Sequence, residues 1–150
     1  MRGEPFTILL VEDEPAHAEI VRRNLQTARV ANRLIWVEDG QAAVDYLRRQ
    51  GNYSDPIVAP VPSLILLDLR LPKIDGIEVL AIIKADPVLK LIPVVIMTTS
   101  SAETDIALAY ENHANSYVVK PFALAAFSTL LDVLGMYWLV WNERSYAESA

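Results

Sequence analysis

An unbroken apolar run at residues 64–67 ends at Asp68, and the chain then turns at Pro72. A short apolar run of this kind is typical of a strand that is buried on both faces of a parallel sheet. The carboxylate of Asp68 is therefore expected at the C-terminal edge of that sheet, where open α/β folds place their functional sites. An Asp that follows a strand also often serves only to stabilise the next turn. For Asp68 taken alone, both interpretations stay open.

Four more strand-like runs alternate with helical patterns along the chain. The predicted strands cover residues 7–11, 34–37, 64–67, 93–98 and 116–120. Strict alternation of strands and helices predicts a doubly wound α/β fold, in which a five-stranded parallel sheet carries helices on both faces. No linker interrupts the pattern, so residues 1–150 are predicted to form one domain, with a core at about 6–135 and a C-terminal helix extension and tail at about 136–150.

Capping signals predict where several helices begin and end. Pro15 suits the first turn of the first helix, Asp39 is the predicted N-cap of the second, and Gly51 is its predicted stop. Two further pairs have the spacing of a capping box, in which the N-cap side chain and a Glu three residues later each accept a backbone N–H. These pairs are Asp75 with Glu78 and Ser100 with Glu103.

Composition narrows the class of protein. Of the 150 residues 53% are apolar, yet no stretch approaches the length of a membrane span, and the N-terminus lacks the features of a signal peptide. The net charge of −6, without a basic run, argues against nucleic acid as a direct ligand. The lack of cysteine excludes disulfides and thiolate metal sites and fits a reducing compartment. These features predict a soluble, cytoplasmic protein.

The residues that close the predicted strands share a consistent chemistry. Because parallel strands point the same way, their C-terminal ends gather along one edge, which brings together Glu12, Asp13, Asp68, Thr98 and Lys120. Carboxylates held close raise one another's pKa, and a hard divalent cation such as Mg²⁺ would compensate their charge. A lysine and a hydroxyl suit the oxygens of a phosphoryl group, and an Asp carboxylate can be the nucleophile that forms an acyl phosphate. The pattern predicts that Asp68 accepts a phosphoryl group, with Mg²⁺ and Lys120 neutralising charge.

Simpler interpretations exist for several polar residues. Glu12 and Asp13 would favour a helix N-terminus by their charge alone, and Thr98 would suit a helix start. The two histidines, His17 and His113, lack the spacing of metal ligands, and surface positions are expected for both.

Taken together, the motifs resemble the receiver domain of bacterial two-component response regulators. They follow that family's order over roughly residues 6–135. They are Val11-Glu12-Asp13, Leu66-Leu67-Asp68-Leu69, Leu71-Pro72-Lys73-Ile74-Asp75-Gly76, Met97-Thr98 and Tyr117-Val118-Val119-Lys120-Pro121-Phe122. The long loop before the central strand, with segments 80–93 and 110–121, is similar to the single-domain regulators of cyanobacterial and bacterial phytochromes. The resemblance implies a flavodoxin-like (βα)5 fold of strand order 2-1-3-4-5, and a phytochrome-like sensor histidine kinase as partner.

The resemblance also implies a role for each matching residue. Asp68 matches the phosphoacceptor, Lys120 the lysine that contacts the phosphoryl group, Thr98 the switch hydroxyl and Tyr117 the aromatic switch. A tyrosine within a strand more commonly just packs against its neighbours, which is the competing interpretation for Tyr117. The implied metal ligands are Asp13, Asp68 and the backbone carbonyl of Arg70, with Glu12 acting through water. The family further implies a cis peptide bond between Lys120 and Pro121.

Two positions depart from the family's pattern. Arg70 stands where related regulators often have Asn, and its guanidinium is expected either to pair with Glu12 or to alter the rate of hydrolysis. Thr99 stands where a smaller residue is common, and it would narrow access for water or a small phosphodonor.

The C-terminal segment is apolar almost all round. A helix that lies on a sheet needs only one apolar stripe, so the excess predicts a second surface that covers it. We favour a homodimer anchored by Tyr137, Trp138 and Trp141, because large aromatic side chains suit interface cores. The alternative is that this segment folds back onto its own domain. No helix-turn-helix pattern or basic recognition helix is present, so output is expected through protein contacts or through a change in dimerisation.

Other functions compete with this interpretation of the sequence. An aspartate-nucleophile phosphatase would need a second Asp two residues after the nucleophile, where this chain has Arg70, so the protein is not expected to be an enzyme. A constitutive dimerisation or interaction module with an unused phosphoacceptor pocket is the main alternative. A Rossmann-type nucleotide binder is disfavoured because no Gly-x-Gly-x-x-Gly follows the first strand.

Overall fold

The structure, a computed structural model, describes residues 6–27 and 32–133. The strands are β1 (Phe6–Val11), β2 (Asn32–Val37), β3 (Leu64–Leu67), β4 (Val94–Thr98) and β5 (Ser116–Val119). The helices are α1 (Pro15–Gln26), α2 (Gly40–Leu47), α3 (Gly76–Ala85), α4 (Glu103–Glu111) and α5, of which residues 124–133 are described. The predicted dimer anchors Tyr137, Trp138 and Trp141 lie outside the described residues.

The five strands form one parallel sheet in the order β2-β1-β3-β4-β5. This confirms the predicted fold class and strand order. The register aligns Val11 of β1 with Leu67 of β3, and Thr98 of β4 with Val119 of β5. Because these residues are opposite one another, the residues that follow the strands emerge side by side at the C-terminal edge.

Two apolar clusters, one on each face of the sheet, hold the helices. Side chains alternate along each strand, so Leu9 and Val11 pack with the cluster formed by α2, α3 and α4, whereas Ile8 and Leu10 pack with the cluster formed by α1 and α5. All four residues of β3 are buried, as expected for a strand covered on both faces. The central strand therefore places Asp68 at a rigid, fully packed position.

The helix boundaries match the sequence in part. Pro15 occupies the first turn of α1, and Asp39 caps α2 by accepting a hydrogen bond from the backbone N–H of Ala42 at 2.7 Å. Neither predicted capping box forms, because the N-cap Asp75 makes no side-chain cap hydrogen bond and the N-cap of α4 is Ala102. The hydroxyl of Ser100 instead donates a hydrogen bond to Asp105.

The segment between α2 and β3 begins earlier than predicted. Helix α2 ends at Leu47, and Gly51 stands at the start of a short 3₁₀ turn with a φ of 60°, which favours glycine. The buried hydroxyl of Tyr46 donates a hydrogen bond to the carbonyl of Pro60 at 2.7 Å and so ties this loop to α2. Among the described residues, no helix is long and apolar enough to cross a membrane.

The expectation of a cis bond before Pro121 is wrong. No peptide bond within residues 6–27 and 32–133 is cis, so the Lys120–Pro121 bond is trans. The trans form of an X–Pro bond is ordinarily favoured by roughly 0.5–1 kcal/mol.

Candidate functional site

Five predicted site residues lie together at the C-terminal edge of the sheet: Glu12, Asp13, Asp68, Thr98 and Lys120. The backbone N–H of Asp68 donates to the carbonyl of Val11 at 3.1 Å, which fixes the start of the β3–α3 loop beside the end of β1. The backbone N–H of Lys120 donates to the carbonyl of Thr98 at 2.6 Å and does the same for β5 and β4. The parallel register, rather than any local motif, therefore assembles the site.

Lys120 is the most deeply buried charge in the site. Its side chain is 1% exposed, and its Nζ donates to Oε1 of Glu12 at 2.5 Å and to Oδ2 of Asp68 at 3.0 Å. The ring of Phe127 on α5 lies beneath it, with its centroid 5.8 Å from Nζ. A buried ammonium held between two carboxylates keeps all three side chains in fixed positions, because separating any of them would leave an uncompensated buried charge.

The buried environment of the site changes the pKa of Glu12. Burial raises the pKa of its carboxyl from 4.5 to about 7, although the charge and hydrogen bond of Lys120 act in the opposite direction. Its backbone is fixed as well, because its N–H donates to the carbonyl of Val37 at 3.1 Å and its own carbonyl accepts from the indole of Trp36 at 2.7 Å. Glu12 is therefore a rigid, easily protonated neighbour of Asp68.

His17 is not a surface residue, contrary to the expectation from sequence. It is half-buried on α1, its Nδ1 lies 3.0 Å from Nζ of Lys120, and its ring packs edge-on against Phe127 at 5.4 Å between centroids. Burial and the nearby ammonium both lower the pKa of His17, so the neutral imidazole that can accept from Lys120 is favoured. His113, by contrast, is exposed as expected.

Three carboxylates form a cluster with the composition of a hard-cation site. One oxygen from each of Glu12, Asp13 and Asp68 can be chosen so that all lie within 4.8 Å of one another. Glu12 and Asp68 are buried, and Asp13 is the most accessible of the three. An all-oxygen, carboxylate-rich donor set suits a divalent cation such as Mg²⁺ or Mn²⁺, so these residues fit a divalent metal ion.

The loop after Asp68 is tightly seated. The backbone N–H of Arg70 donates to Oδ1 of Asp68 at 3.2 Å, and that of Gly76 donates to the carbonyl of Leu69 at 2.8 Å. A Cβ added at Gly76 would lie 2.2 Å from the carbonyl oxygen of Asp68, so only glycine allows this close approach.

The guanidinium of Arg70 does not pair with Glu12, so that expectation is wrong. Its Nη2 donates instead to Oδ2 of Asp105, on α4, at 2.6 Å. Asp105 contacts Arg70 of the β3–α3 loop and Ser100 of the β4–α4 loop, whereas Glu12 is already paired with Lys120.

The β4–α4 loop carries the remaining polar contacts. The hydroxyl of buried Thr98 accepts from the backbone N–H of Ser100 at 3.4 Å, and the hydroxyl of Ser100 donates to Oδ2 of Asp105 at 2.6 Å. Tyr117, which is half-buried on β5, donates from its hydroxyl to the carbonyl of Ser100 at 2.9 Å. Thr99 is exposed. One loop thus connects Thr98, Tyr117 and α4.

Three residues of this site were not predicted from the sequence: His17, Asp105 and Ser100. A signal for two of them was present in the helix periodicity. His17 lies four residues before buried Val21, and Asp105 lies four residues before buried Ala109, so each is a polar residue on the inward face of its helix. A polar side chain at such a position needs a partner, and the ends of the strands are the nearest source of one.

Comparison with known proteins identifies the family. A family model described as the response regulator receiver domain matches residues 8–132. The chain therefore belongs to the response regulator receiver domain family, a family of signalling domains of two-component systems.

Individual relatives are similar over nearly the whole chain. Response regulator Rcp1 of Synechocystis sp. PCC 6803 is 45% identical over 135 residues, which cover 90% of this chain and 90% of Rcp1. The probable methanogenesis regulatory protein FilR2 of Methanothrix harundinacea is 44% identical over 139 residues, which cover 93% of this chain and 87% of FilR2.

Two crystal structures have the same fold as this chain. The Mn²⁺-bound form of Rcp1 has a TM-score of 0.85 at 45% identity, covering 90% of this chain and 95% of that one. The phosphorylated cyanobacterial phytochrome response regulator RcpA has a TM-score of 0.85 at 42% identity, covering 91% of this chain and 95% of that one.

Proposed function

We propose that this chain is the receiver of a two-component phosphorelay, in which Asp68 accepts a phosphoryl group from a phytochrome-type sensor histidine kinase. The observation that carries the proposal is the buried Lys120 ammonium, whose Nζ contacts both Asp68 and Glu12 beside the three-carboxylate cluster. A structural ion pair needs only one carboxylate per ammonium, whereas a phosphoryl-accepting site needs surplus carboxylates for a metal ion and a cation for the phosphoryl oxygens. The similarity to the phosphorylated RcpA supports the same interpretation.

For phosphoryl transfer the protein mainly has to position the reacting groups. An oxygen of Asp68 attacks the phosphorus of a phosphohistidine on the kinase, an O–P bond forms, and the P–N bond breaks with its electron pair returning to the imidazole nitrogen. The backbone N–H of Arg70 and the ammonium of Lys120 hold the two carboxylate oxygens, at 3.2 and 3.0 Å. Lys120 would then pair with a phosphoryl oxygen in place of the carboxylate oxygen that it contacts in the resting site.

Mg²⁺ is the metal ion that we assign to the carboxylate cluster. Asp13, Asp68 and the backbone carbonyl of Arg70 would hold it, with Glu12 acting through water. When bound, it supplies positive charge that offsets the charge of the clustered carboxylates and of the phosphoryl oxygens. Glu12 and Lys120 already neutralise one another in part, so Asp13 and Asp68 supply most of the negative charge that attracts the ion.

The signal would leave the site through the β4–α4 loop. We assign Thr98 as the hydroxyl that turns toward the phosphoryl group, and Tyr117 as the aromatic side chain that follows it. The support is the chain of contacts from Thr98 through Ser100 to the hydroxyl of Tyr117. Output would take the form of protein contacts in the cytoplasm, and homodimerisation through Tyr137, Trp138 and Trp141 remains part of this proposal.

The proposal is tested by intact-mass measurement after incubation with acetyl phosphate and Mg²⁺. The expected result is a single phosphoryl addition to the parent that EDTA blocks and that Asp68→Asn abolishes. Asp75→Asn is the matched control, because it makes the same chemical change at an exposed carboxylate of the same loop and should leave the addition intact. The assay is repeated with a phytochrome-type kinase as donor.

Failure of the parent with both donors would overturn the proposal. A parent that binds Mg²⁺ yet accepts no phosphoryl group would then be a constitutive interaction module with an unused pocket. Steady turnover of a phosphate ester would instead indicate a phosphatase.

A further inference from the structure

We propose that Asp105 is a latch that holds the guanidinium of Arg70 away from Asp68 in the resting protein, and that phosphorylation releases it. After phosphorylation the guanidinium of Arg70 pairs with the phosphoryl group on Asp68 instead of with Asp105. The unpaired carboxylate of Asp105 then destabilises the start of α4. The latch rests on the proposed function, because it needs a phosphoryl group on Asp68.

A single carboxylate oxygen joins two loops of the site. Oδ2 of Asp105 accepts from Nη2 of Arg70 at 2.6 Å and from Oγ of Ser100 at 2.6 Å. Arg70 belongs to the loop that follows the phosphoacceptor, and Ser100 belongs to the loop that follows Thr98. Asp105 itself is only 8% exposed, although it lies on a helix whose outward positions are open to solvent.

Arg70 is well placed to change partners. It follows Asp68 by two residues, and its backbone N–H already contacts Oδ1 of that carboxylate at 3.2 Å. Its side chain is 65% exposed, so rotation about its own bonds meets little packing. The long, flexible side chain can therefore turn from α4 toward Asp68 while the backbone stays in place.

Charge decides which partner holds the guanidinium. A phosphorylated Asp68 carries roughly two negative charges and three acceptor oxygens, against one charge on Asp105. Arginine pairs with phosphate through two parallel hydrogen bonds, which favours the phosphoryl group further. In the resting state the charge of Asp68 is already compensated by Lys120, so pairing with Arg70 stabilises Asp105 more than it would stabilise Asp68.

Release of Arg70 affects α4 directly. A carboxylate that stays buried after its cation leaves is strongly unfavourable, so Asp105 must turn toward water or draw water in. Either movement disturbs the hydrogen bond to Ser100, whose carbonyl also accepts from Tyr117 at 2.9 Å. The exchange thus connects the chemistry at Asp68 to α4 and β5 through contacts present in the structure.

The latch and a static salt bridge between Arg70 and Asp105 predict different rates of phosphoryl uptake in Asp105→Asn. In Asp105→Asn the guanidinium is free before phosphorylation, so the rate of phosphoryl uptake from acetyl phosphate should rise by about fivefold, a coupling ordinary for side chains in contact. Arg70→Ala should slow uptake, and the double variant should match Arg70→Ala alone. Arg70→Lys should recover part of the rate, because it keeps the charge without the planar fork.

Intact-mass time courses measure these rates, with thermal unfolding to confirm that each variant is folded. Glu19→Gln is the control, since it removes the charge of an exposed carboxylate that pairs with Arg22 and Arg23 on α1, which packs on the other face of the sheet from α4. Hydrogen exchange provides a second readout. Amide exchange in Glu103–Glu111 should quicken when the parent is phosphorylated, and should already be quick in unphosphorylated Asp105→Asn.

The outcomes separate the two proposals. If the parent takes up no phosphoryl group from either donor, both proposals are overturned. If the parent is phosphorylated but Asp105→Asn is no faster, or is equally accelerated without Arg70, only the latch is wrong. Exchange in α4 that is unchanged by phosphorylation would also overturn the latch while leaving the proposed function intact.

Discussion

Removing the ammonium of Lys120 should destabilise the protein by an amount that depends strongly on pH. The substitution Lys120→Met keeps most of the side-chain volume and leaves the carboxylates of Glu12 and Asp68 without their shared cation. Both carboxylates are buried, at 3% and 8% exposure. Breaking a buried ion pair by removing one partner typically costs about 3–5 kcal/mol. We expect a loss in this range at pH 8 in the absence of divalent metal ions.

The pH dependence follows from Glu12. Its pKa in the folded protein is raised from 4.5 to about 7, so its contribution to stability is full below pH 4.5 and is lost as the pH rises through about 7. One pKa unit corresponds to about 1.4 kcal/mol, so ionised Glu12 opposes folding of the parent by about 3 kcal/mol at high pH. Lys120 limits this penalty, and without it the pKa of Glu12 should rise further. At pH 5 Glu12 is neutral in both proteins, and the variant should lose only about 1–3 kcal/mol, chiefly through Asp68.

Urea unfolding at pH 5, 6.5 and 8 in EDTA measures these differences. Lys73→Met is the matched control, because Lys73 also pairs with an aspartate, Asp39, but its side chain is 66% exposed and the pair is 3.4 Å long. Exposed pairs contribute at most about 1 kcal/mol, so the control should change little at any pH. Equal losses at pH 5 and pH 8 for Lys120→Met, or a loss below about 1 kcal/mol at pH 8, would refute the reasoning.

Three other substitutions test single features of the fold. In Gly76→Ala the new Cβ would lie 2.2 Å from the carbonyl oxygen of Asp68, so the protein should be destabilised by about 1–3 kcal/mol and should take up phosphoryl groups more slowly. Urea unfolding measures the loss of stability, and intact mass measures the rate of uptake. Normal uptake in a folded variant would contradict this. Asp39→Ala removes the N-cap of α2 and should reduce the unfolding free energy by about 1 kcal/mol; no change would argue against the cap. Tyr46→Phe leaves the carbonyl of Pro60 without its 2.7 Å donor, so about 1–2 kcal/mol should be lost and limited proteolysis between α2 and β3 should quicken; unaltered proteolysis would mean that the bond does not restrain this loop.

The sequence was sufficient to predict the fold and the residues that gather at its edge. Apolar runs such as residues 64–67 indicate buried parallel strands, and parallel strands carry the residues that follow them to a common edge. Glu12, Asp68 and Lys120 could therefore be placed together without knowledge of any distance. Their pairing through one ammonium follows from burial, because buried charges must compensate one another.

The contacts that depend on helix placement could not be predicted in the same way. The partner of Arg70 depends on where α4 lies relative to the β3–α3 loop, and neighbouring sequence does not determine that. Ser100 has the spacing of a capping residue, yet its hydroxyl bonds to Asp105, a competing partner supplied by the tertiary structure. His17 was assigned to the surface because it lacks the spacing of a metal ligand, but the fold places its Nδ1 3.0 Å from Nζ of Lys120.

Lys120 reaches the site from the end of β5, which is an edge strand of the sheet. Edge strands are paired on one side only, and they are commonly among the elements that open by local unfolding before the whole domain does. When β5 separates from β4, the ammonium leaves the pocket, and the carboxylates of Glu12 and Asp68 lose their shared cation while the rest of the sheet persists. Under the proposed function, the ability of Asp68 to accept a phosphoryl group should therefore decline with the opening of β5, which requires less free energy than global unfolding. Under the same proposal, a sensor kinase could bind the folded surface of this partly open molecule but could not transfer a phosphoryl group to Asp68.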